Sequence, residues 1–107
     1  MSGKLLQINF RFKVPAADYI EAVRPIADDI ARVPGLLWKV WLINEAESEA
    51  GGIYWFTDGA SLQAYLDGPI VAAVASHPAL ADISVKVFDN ISRLSQITRG
   101  PVLSSAA

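Results

Sequence analysis

The amino-acid sequence predicts an α+β fold in which two helices cover one face of a four-stranded antiparallel sheet. Three observations support this prediction: a strictly alternating segment near the start, a helical pattern that follows it, and a later strand, strand, helix, strand order. The chain has 107 residues, 52% of them apolar and 19% charged. This length and balance suit one folded core. We expect a single domain over residues 1–107, in which residues 92–107 form a C-terminal tail.

The first strand and the first helix have the clearest patterns. Residues 6–12 alternate with period two, which is typical of a half-buried strand: Leu6, Ile8, Phe10 and Phe12 against Gln7, Asn9, Arg11 and Lys13. Pro15 then precedes a segment with apolar residues at three- and four-residue spacing, which predicts an amphipathic helix: Ile20, Val23, Ala27 and Ile30. Pro34-Gly35 ends this helix, which should cover one face of the sheet.

The middle of the chain predicts a hairpin. Residues 36–43 have large apolar side chains at both alternating positions, so this strand should be covered on both faces. We assign Trp38 to the core and Trp41, with Lys39, to the opposite face. The polar stretch 44–49 and Gly51-Gly52 are interpreted as a connection or bulge, and residues 53–56 as the returning strand. The bulge leaves open which residues of that strand face the core.

The second half supplies another helix and a last strand. Asp58 can cap a helix that includes Leu62 and Tyr65, and Pro69 is well placed to begin a short one. Residues 83–88 alternate again as a strand, whereas the tail has no clear periodicity. The resulting order, β-α-β-β-α-β, is that of the ferredoxin-like or split βαβ fold.

The sheet face opposite the helices is predicted to be partly apolar and partly polar. Its expected residues are Leu37, Trp41, Ile43 and Phe88 with Gln7, Asn9, Arg11, Lys39 and Lys86. On a monomer this face would be an exposed apolar patch. We therefore expect a homodimer in which a second copy packs sheet against sheet through a two-fold contact.

Composition excludes several classes of function. A net charge of −2 argues against a nucleic-acid partner. The absence of cysteine removes thiol nucleophiles and thiolate metal sites, and a single histidine, His77, removes a histidine-rich metal site. The same composition predicts no metal site. No apolar run approaches a signal peptide or a spanning helix, so we expect no membrane partner and a cytoplasmic location.

Several blocks of the sequence resemble the YdhR family of putative mono-oxygenases. The most specific are Pro34-Gly35-Leu36-Leu37-Trp38-Lys39-Val40-Trp41 and Glu49-Ala50-Gly51-Gly52-Ile53-Tyr54, with shorter segments at 5–7, 56–58, 85–89 and 94–97. This resemblance implies a dimeric α+β barrel of ferredoxin-like subunits, similar to the cofactor-free antibiotic-biosynthesis and quinol mono-oxygenases.

The expected function is cofactor-independent mono-oxygenation of a small aromatic or quinol-like substrate. Such chemistry needs groups that deprotonate the substrate, stabilise its anion and exclude water. The candidate substrate-binding residues are Gln7, Asn9, Arg11, Lys39, Trp41, Tyr54, Lys86 and Phe88. The first alternative is a non-catalytic protein that binds a small apolar anion in the same pocket, and the second is isomerisation of a lactone or similar ring.

The sequence identifies no catalytic residue. His77 lies beside Pro78 in a predicted loop, where an exposed, non-catalytic role is expected, although it could act as a general base. Glu45, Glu47 and Glu49 are interpreted as solvated residues of the hairpin and not as a metal site.

Overall fold

The structure, a computed structural model, describes residues 3–102, and this part of the chain forms four strands and four helices. In chain order these are β1 (Lys4–Phe12), α1 (Ala16–Ala31), β2 (Leu36–Asn44), a 3-10 turn (Glu45–Glu47), β3 (Glu49–Phe56), α2 (Gly59–Leu66), α3 (Pro69–Ser76), β4 (Leu80–Asp89) and α4 (Ser92–Ile97). The predicted ferredoxin-like order is confirmed. The tail adds α4, and its residues 103–107 lie outside the described part.

The sheet has the strand order β2-β3-β1-β4, and every neighbouring pair is antiparallel. Residues paired across neighbouring strands share a face of the sheet, so the register divides the side chains between two sides. We call the side covered by the helices the inner face and the opposite side the outer face.

The alternation predicted for β1 is confirmed. Leu6, Ile8, Phe10 and Phe12 are buried on the inner face, and none is more than 7% exposed. Tyr19 of α1 packs on two of these rings, with centroid distances of 5.9 Å to Phe10 and 5.2 Å to Phe12. The first helix is therefore held on the sheet by aromatic contacts.

The helix starts in the second half follow the predicted chemistry. The side chain of Asp58 accepts a hydrogen bond of 2.7 Å from the backbone N–H of Ser61 and so caps α2. This bond lowers the pKa of the Asp58 carboxyl. Pro69 is the first residue of α3, where its missing N–H costs no helical hydrogen bond.

The structure reverses the faces predicted for β2. Pairing between β2 and β3 shifts register between Leu36 and Trp38, so the alternation after the shift runs opposite to our assignment. Lys39, Trp41 and Ile43 pair with Tyr54, Gly52 and Ala50 of the inner face. Trp38 pairs with Trp55, which pairs with Leu5 on the outer face. The predictions that Lys39 and Trp41 face outward and that Trp38 belongs to the helix-covered core are therefore wrong.

The two adjacent glycines were also placed wrongly, because they lie inside β3 and not in the connection. Gly51 has a φ of +158°, and a Cβ at this position would overlap the carbonyl oxygen of Ile8. A Cβ at Gly52 would overlap Cε of Lys39. The glycine pair thus lets β1 approach closely on one side and gives the Lys39 side chain room on the other.

The C-terminal segment covers part of the outer face. The indole N–H of Trp38 donates a hydrogen bond of 2.9 Å to the carbonyl oxygen of Pro101. Val102, the residue after Pro101, is buried, and Trp55 of the outer face is only 3% exposed. The rest of the outer face keeps exposed apolar side chains, including Val40 and Phe88.

Candidate functional site

A cavity with a volume of about 110 Å³ lies between the inner face of the sheet and helices α1, α2 and α3. Its wall is almost entirely apolar and comes from all three helices and all four strands. An apolar cavity on the order of 150 Å³ accommodates a benzene molecule. The cavity is therefore of the size of one small ring.

Lys39 supplies the positive group of this pocket. Its Nζ lies 3.3 Å from the ring centroid of Trp41 and 4.6 Å from that of Tyr54. These distances are within the range of cation–π contacts. The side chain crosses the space left by Gly52, so the register of β2 and the absence of a side chain at residue 52 together position the amine.

Lys39 is half-buried and has no acidic partner among residues 3–102, where every ion pair involves other residues. Burial lowers the pKa of Lys39 to about 7. The two ring faces attract the ammonium form and act in the opposite direction. Near neutral pH the pocket therefore contains both a neutral and a charged form of one amine.

Three tyrosines, Tyr19, Tyr54 and Tyr65, also line the pocket. The hydroxyl of Tyr65 donates a hydrogen bond of 3.0 Å to the hydroxyl oxygen of Tyr54. Burial raises the pKa of Tyr54 and of Tyr65, and it raises the pKa of Tyr19 to about 12. All three phenols therefore remain protonated at neutral pH and act as neutral hydrogen-bonding groups.

His77 borders the same pocket at the end of α3. The expectation that it is exposed is confirmed. Its Nδ1 accepts a hydrogen bond of 3.0 Å from the backbone N–H of Ala79. In the neutral ring this contact leaves the proton on Nε2. His77 therefore adds a hydrogen-bond donor at the edge of the cavity.

The remaining candidate residues lie away from this pocket. On the outer face Gln7 donates to Asn9 at 2.8 Å and Asn9 donates to Glu49 at 3.1 Å. These three residues and Lys86 border a separate hollow of about 170 Å³. Arg11 instead donates to the carbonyl oxygen of Glu47 at 3.3 Å, and Phe88 is an exposed residue of the outer face.

The eight candidates thus divide between two faces, and the single hollow that we expected does not form. The structure brings together Lys39, Trp41 and Tyr54 in the inner pocket. Sequence reasoning missed Tyr19 and Tyr65 as pocket residues. Tyr65 was interpreted only as part of the second helix, and Tyr19 was not singled out in the first. One signal was available, because all three tyrosines of the chain line this one cavity.

Within residues 3–102, no cluster of three or more His, Cys, Asp or Glu side chains converges in a way that could hold a metal ion. In the same residues no helix has both the length and the apolar character needed to cross a membrane.

The hydrogen bond between the two buried tyrosines should be visible as a coupling energy. Tyr54→Phe leaves the hydroxyl of Tyr65 without its acceptor, so we expect a loss of about 1–3 kcal/mol in the free energy of unfolding. The double variant Tyr54→Phe/Tyr65→Phe should lose less than the sum of the two single variants, because neither partner is left unpaired. Denaturant unfolding of the natural protein, the two single variants and the double variant measures this coupling energy. Strictly additive losses in the free energy of unfolding would contradict the hydrogen bond.

Lys39 should oppose folding most strongly at low pH. Its pKa in the folded protein is about 7, against 10.5 for the unperturbed group. Between these values the unfolded chain binds more protons, so the free energy of unfolding rises with pH by up to about 1.4 kcal/mol per unit. We expect the stability advantage of Lys39→Met over the natural protein to shrink between pH 7 and pH 9. Denaturant unfolding at several pH values measures this advantage, and a constant difference would contradict the burial of the amine.

Comparison with known proteins gives the chain a family and its fold relatives. The family model described as "Putative mono-oxygenase ydhR" matches residues 5–101. Among curated proteins, no sequence matches this chain at a significant level.

Solved structures with the same fold include oxygenases. SnoaB, a cofactor-independent oxygenase from Streptomyces nogalater, has a TM-score of 0.69 at 17% identity, covering 84% of this chain and 94% of that chain. NE2512, a protein of unknown function from Nitrosomonas europaea, has a TM-score of 0.65 at 22% identity, with coverages of 85% and 91%. The heme-degrader MhuD from Mycobacterium tuberculosis has a TM-score of 0.60 at 22% identity, with coverages of 81% and 95%.

These structural similarities support the α+β fold described above. Since the family model spans nearly the whole sequence, the chain belongs to the ydhR family of putative mono-oxygenases.

Proposed function

We propose that this protein is a cofactor-independent mono-oxygenase that oxidises a small aromatic or quinol-like substrate in the pocket between its sheet and helices. The observation that carries the proposal is the half-buried amine of Lys39, which lines the apolar pocket against Trp41 and Tyr54 and whose pKa of about 7 allows it to accept a proton at neutral pH. Family membership and the oxygenases among the fold relatives support the same reaction type.

A protein without a redox cofactor can only use dioxygen if the substrate itself supplies the electrons. Phenols, enols and quinols do so much more readily as anions than as neutral molecules. The protein must therefore deprotonate the substrate in surroundings that exclude water and stabilise the anion. A neutral amine in an apolar cavity meets the first requirement.

The proton transfer creates an ion pair inside the pocket. Neutral Lys39 takes the proton of a ring hydroxyl, which leaves an ammonium group next to the substrate anion. In an apolar wall this pair attracts more strongly than it would in water. The anion then reduces dioxygen, and an activated CH2 group of the ring becomes a carbonyl while its two hydrogens leave with the second oxygen as water.

The walls of the pocket favour a planar apolar substrate. Trp41 is 39% exposed and lies between this cavity and a neighbouring groove along α1, so its ring is reachable from solvent. Aromatic rings bind one another by offset stacking or edge contacts. The phenols of Tyr54 and Tyr65 add neutral hydrogen-bonding groups deeper in the same cavity.

We further propose that two copies of the chain pack their outer faces together. Val40 and Phe88 are 52% and 46% exposed on this face, a poor arrangement for a monomer in water. Gln7 and Lys86 share the cross-strand row of Val40, and Asn9 lies in the next row of the same face. These polar side chains would border a wet space between the two sheets. Such a contact is self-complementary under a two-fold axis.

Oxygen consumption tests the proposed reaction. With a panel of phenols and quinols, including ones with an activated CH2 group, we expect saturable uptake of dioxygen by the natural protein. Lys39→Met removes the base and should lower kcat by about 10²–10⁴-fold. The matched control Lys13→Met replaces an exposed lysine outside the pocket and should leave the rate unchanged.

Three results of this experiment would contradict the proposal. Saturable binding without oxygen consumption would favour the alternative of a non-catalytic protein that binds a small apolar anion. An equal loss of kcat in Lys39→Met and Lys13→Met would show that Lys39 has no special role as the base. A requirement for added metal or flavin would contradict cofactor independence.

Sedimentation or light scattering tests the dimer. We expect about twice the chain mass for the natural protein and a monomer for Val40→Asp, because a carboxylate would be desolvated in the contact between outer faces. Val87→Asp is the matched control, since Val87 has a similar exposure of 50% and lies on the opposite face of the sheet. Dissociation by both variants, or a monomeric natural protein, would contradict the proposed contact.

A further inference from the structure

We propose that the amine of Lys39 forms an imine with small aromatic aldehydes or ketones that enter the inner pocket. This activity shares the pocket and the lysine with the proposed function, but it needs no dioxygen. The chemical class follows from the position of Lys39 in the fold, because a primary amine reaches into an apolar cavity of the size of one ring.

The geometry leaves the amine available as a nucleophile. An ordinary salt-bridged lysine is held as an ammonium ion by its carboxylate, and its nitrogen then has no free lone pair. Nζ of Lys39 lies instead against the faces of Trp41 and Tyr54, and it forms no ion pair within residues 3–102. Burial lowers the pKa of this amine to about 7, so the nucleophilic neutral form is well populated at neutral pH.

The pocket also contains a group that can polarise a carbonyl. The hydroxyl of Tyr65 donates a hydrogen bond to the hydroxyl oxygen of Tyr54, which leaves the O–H of Tyr54 free to donate to another acceptor. Burial keeps the pKa of this phenol high, so the hydroxyl remains a donor. A carbonyl oxygen that accepts this hydrogen bond would have a more electrophilic carbon, within a cavity that Lys39 also lines.

The reaction balances without an oxidant or a reductant. Nζ attacks the carbonyl carbon and forms a carbinolamine, in which the former carbonyl oxygen has taken up a proton lost from nitrogen. The C–O bond then breaks, the oxygen leaves as water with a second proton from nitrogen, and a C=N bond joins Lys39 to the ligand. Water can reverse both steps, so the adduct is hydrolysable until it is reduced.

The carbonyl compound should be small, planar and uncharged. An aromatic aldehyde presents its ring to the apolar wall and its carbonyl to the amine. A carboxylate on the ring would have to be buried, which is costly unless it pairs with the ammonium form of Lys39. That pairing would hold the amine in its unreactive form, so charged aldehydes should be slower reagents than benzaldehyde.

Reductive trapping of the whole protein tests the inference. The protein is incubated with benzaldehyde and sodium cyanoborohydride at pH 7, with N-acetyl-lysine amide as a reference amine in the same mixture. We expect one benzyl group per chain, mapped to Lys39 by peptide mass spectrometry, at a rate at least about tenfold above the reference. An ordinary lysine of pKa about 10.4 is neutral in only about one molecule in 2,500 at this pH.

Two variants test whether labelling requires the amine of Lys39 and whether it requires that amine to be correctly positioned. Lys39→Arg should abolish labelling in the pocket, whereas the control Lys13→Arg should leave it unchanged. Gly52→Ala keeps the lysine but adds a Cβ that overlaps its Cε, so labelling at Lys39 should fall toward the reference rate. This second variant keeps the test informative if arginine does not fit the pocket.

The outcomes distinguish this inference from the proposed oxygenation. Labelling at Lys39 without oxygen uptake by phenols would support the imine and contradict the mono-oxygenase. Oxygen uptake without labelling at Lys39 would support the mono-oxygenase and contradict the imine. Labelling at Lys39 at the reference rate, or mainly at exposed lysines such as Lys13 and Lys86, would overturn the imine.

Discussion

The register between β2 and β3 is the constraint on which the site depends. The irregularity between Leu36 and Trp38 turns the following residues so that Lys39 and Trp41 point to the helix-covered side. In a strand, a shift of one residue moves every side chain to the other face. With the uninterrupted alternation, Lys39 would lie on the outer face, and its amine would be hydrated. The lowered pKa of Lys39, its aromatic contacts and the amine in the pocket therefore all follow from one local irregularity.

The sequence was sufficient for the fold wherever polar and apolar residues alternate. In β1 each polar residue from Gln7 to Arg11 has an apolar neighbour, so the buried side is unambiguous. In β2, tryptophan, leucine, valine and isoleucine occupy both alternating positions, and either assignment buries a large apolar surface. Pairing with β3 and the space above Gly52 determine which side of β2 faces the helices, and neither is a local property of residues 36–44.

The sequence predicted which types of residue form the candidate site better than it predicted which of them lie together. Lys39, Trp41 and Tyr54 were candidates because a cation and two aromatic rings suit a planar anion, and they do meet in one pocket. Arg11 and Lys86 were selected by the same reasoning, yet they stay on the other face. What distinguishes Lys39 is its coverage by helices that are distant in sequence. Burial depends on tertiary contacts, so no spacing rule could have assigned it a lowered pKa.

The buried amine is difficult to explain as a structural element. A shift in the pKa of Lys39 from 10.5 to about 7 corresponds to a cost on the order of 5 kcal/mol for keeping the charged form in the fold. Cation–π contacts with Trp41 and Tyr54 offset only about 0.5–2 kcal/mol each, and a methionine could fill the same space without that cost. A lysine in this position is better explained by chemistry. Proton abstraction from a phenol and attack on a carbonyl both require the neutral form of the amine, so the two proposed activities should increase over the same pH interval.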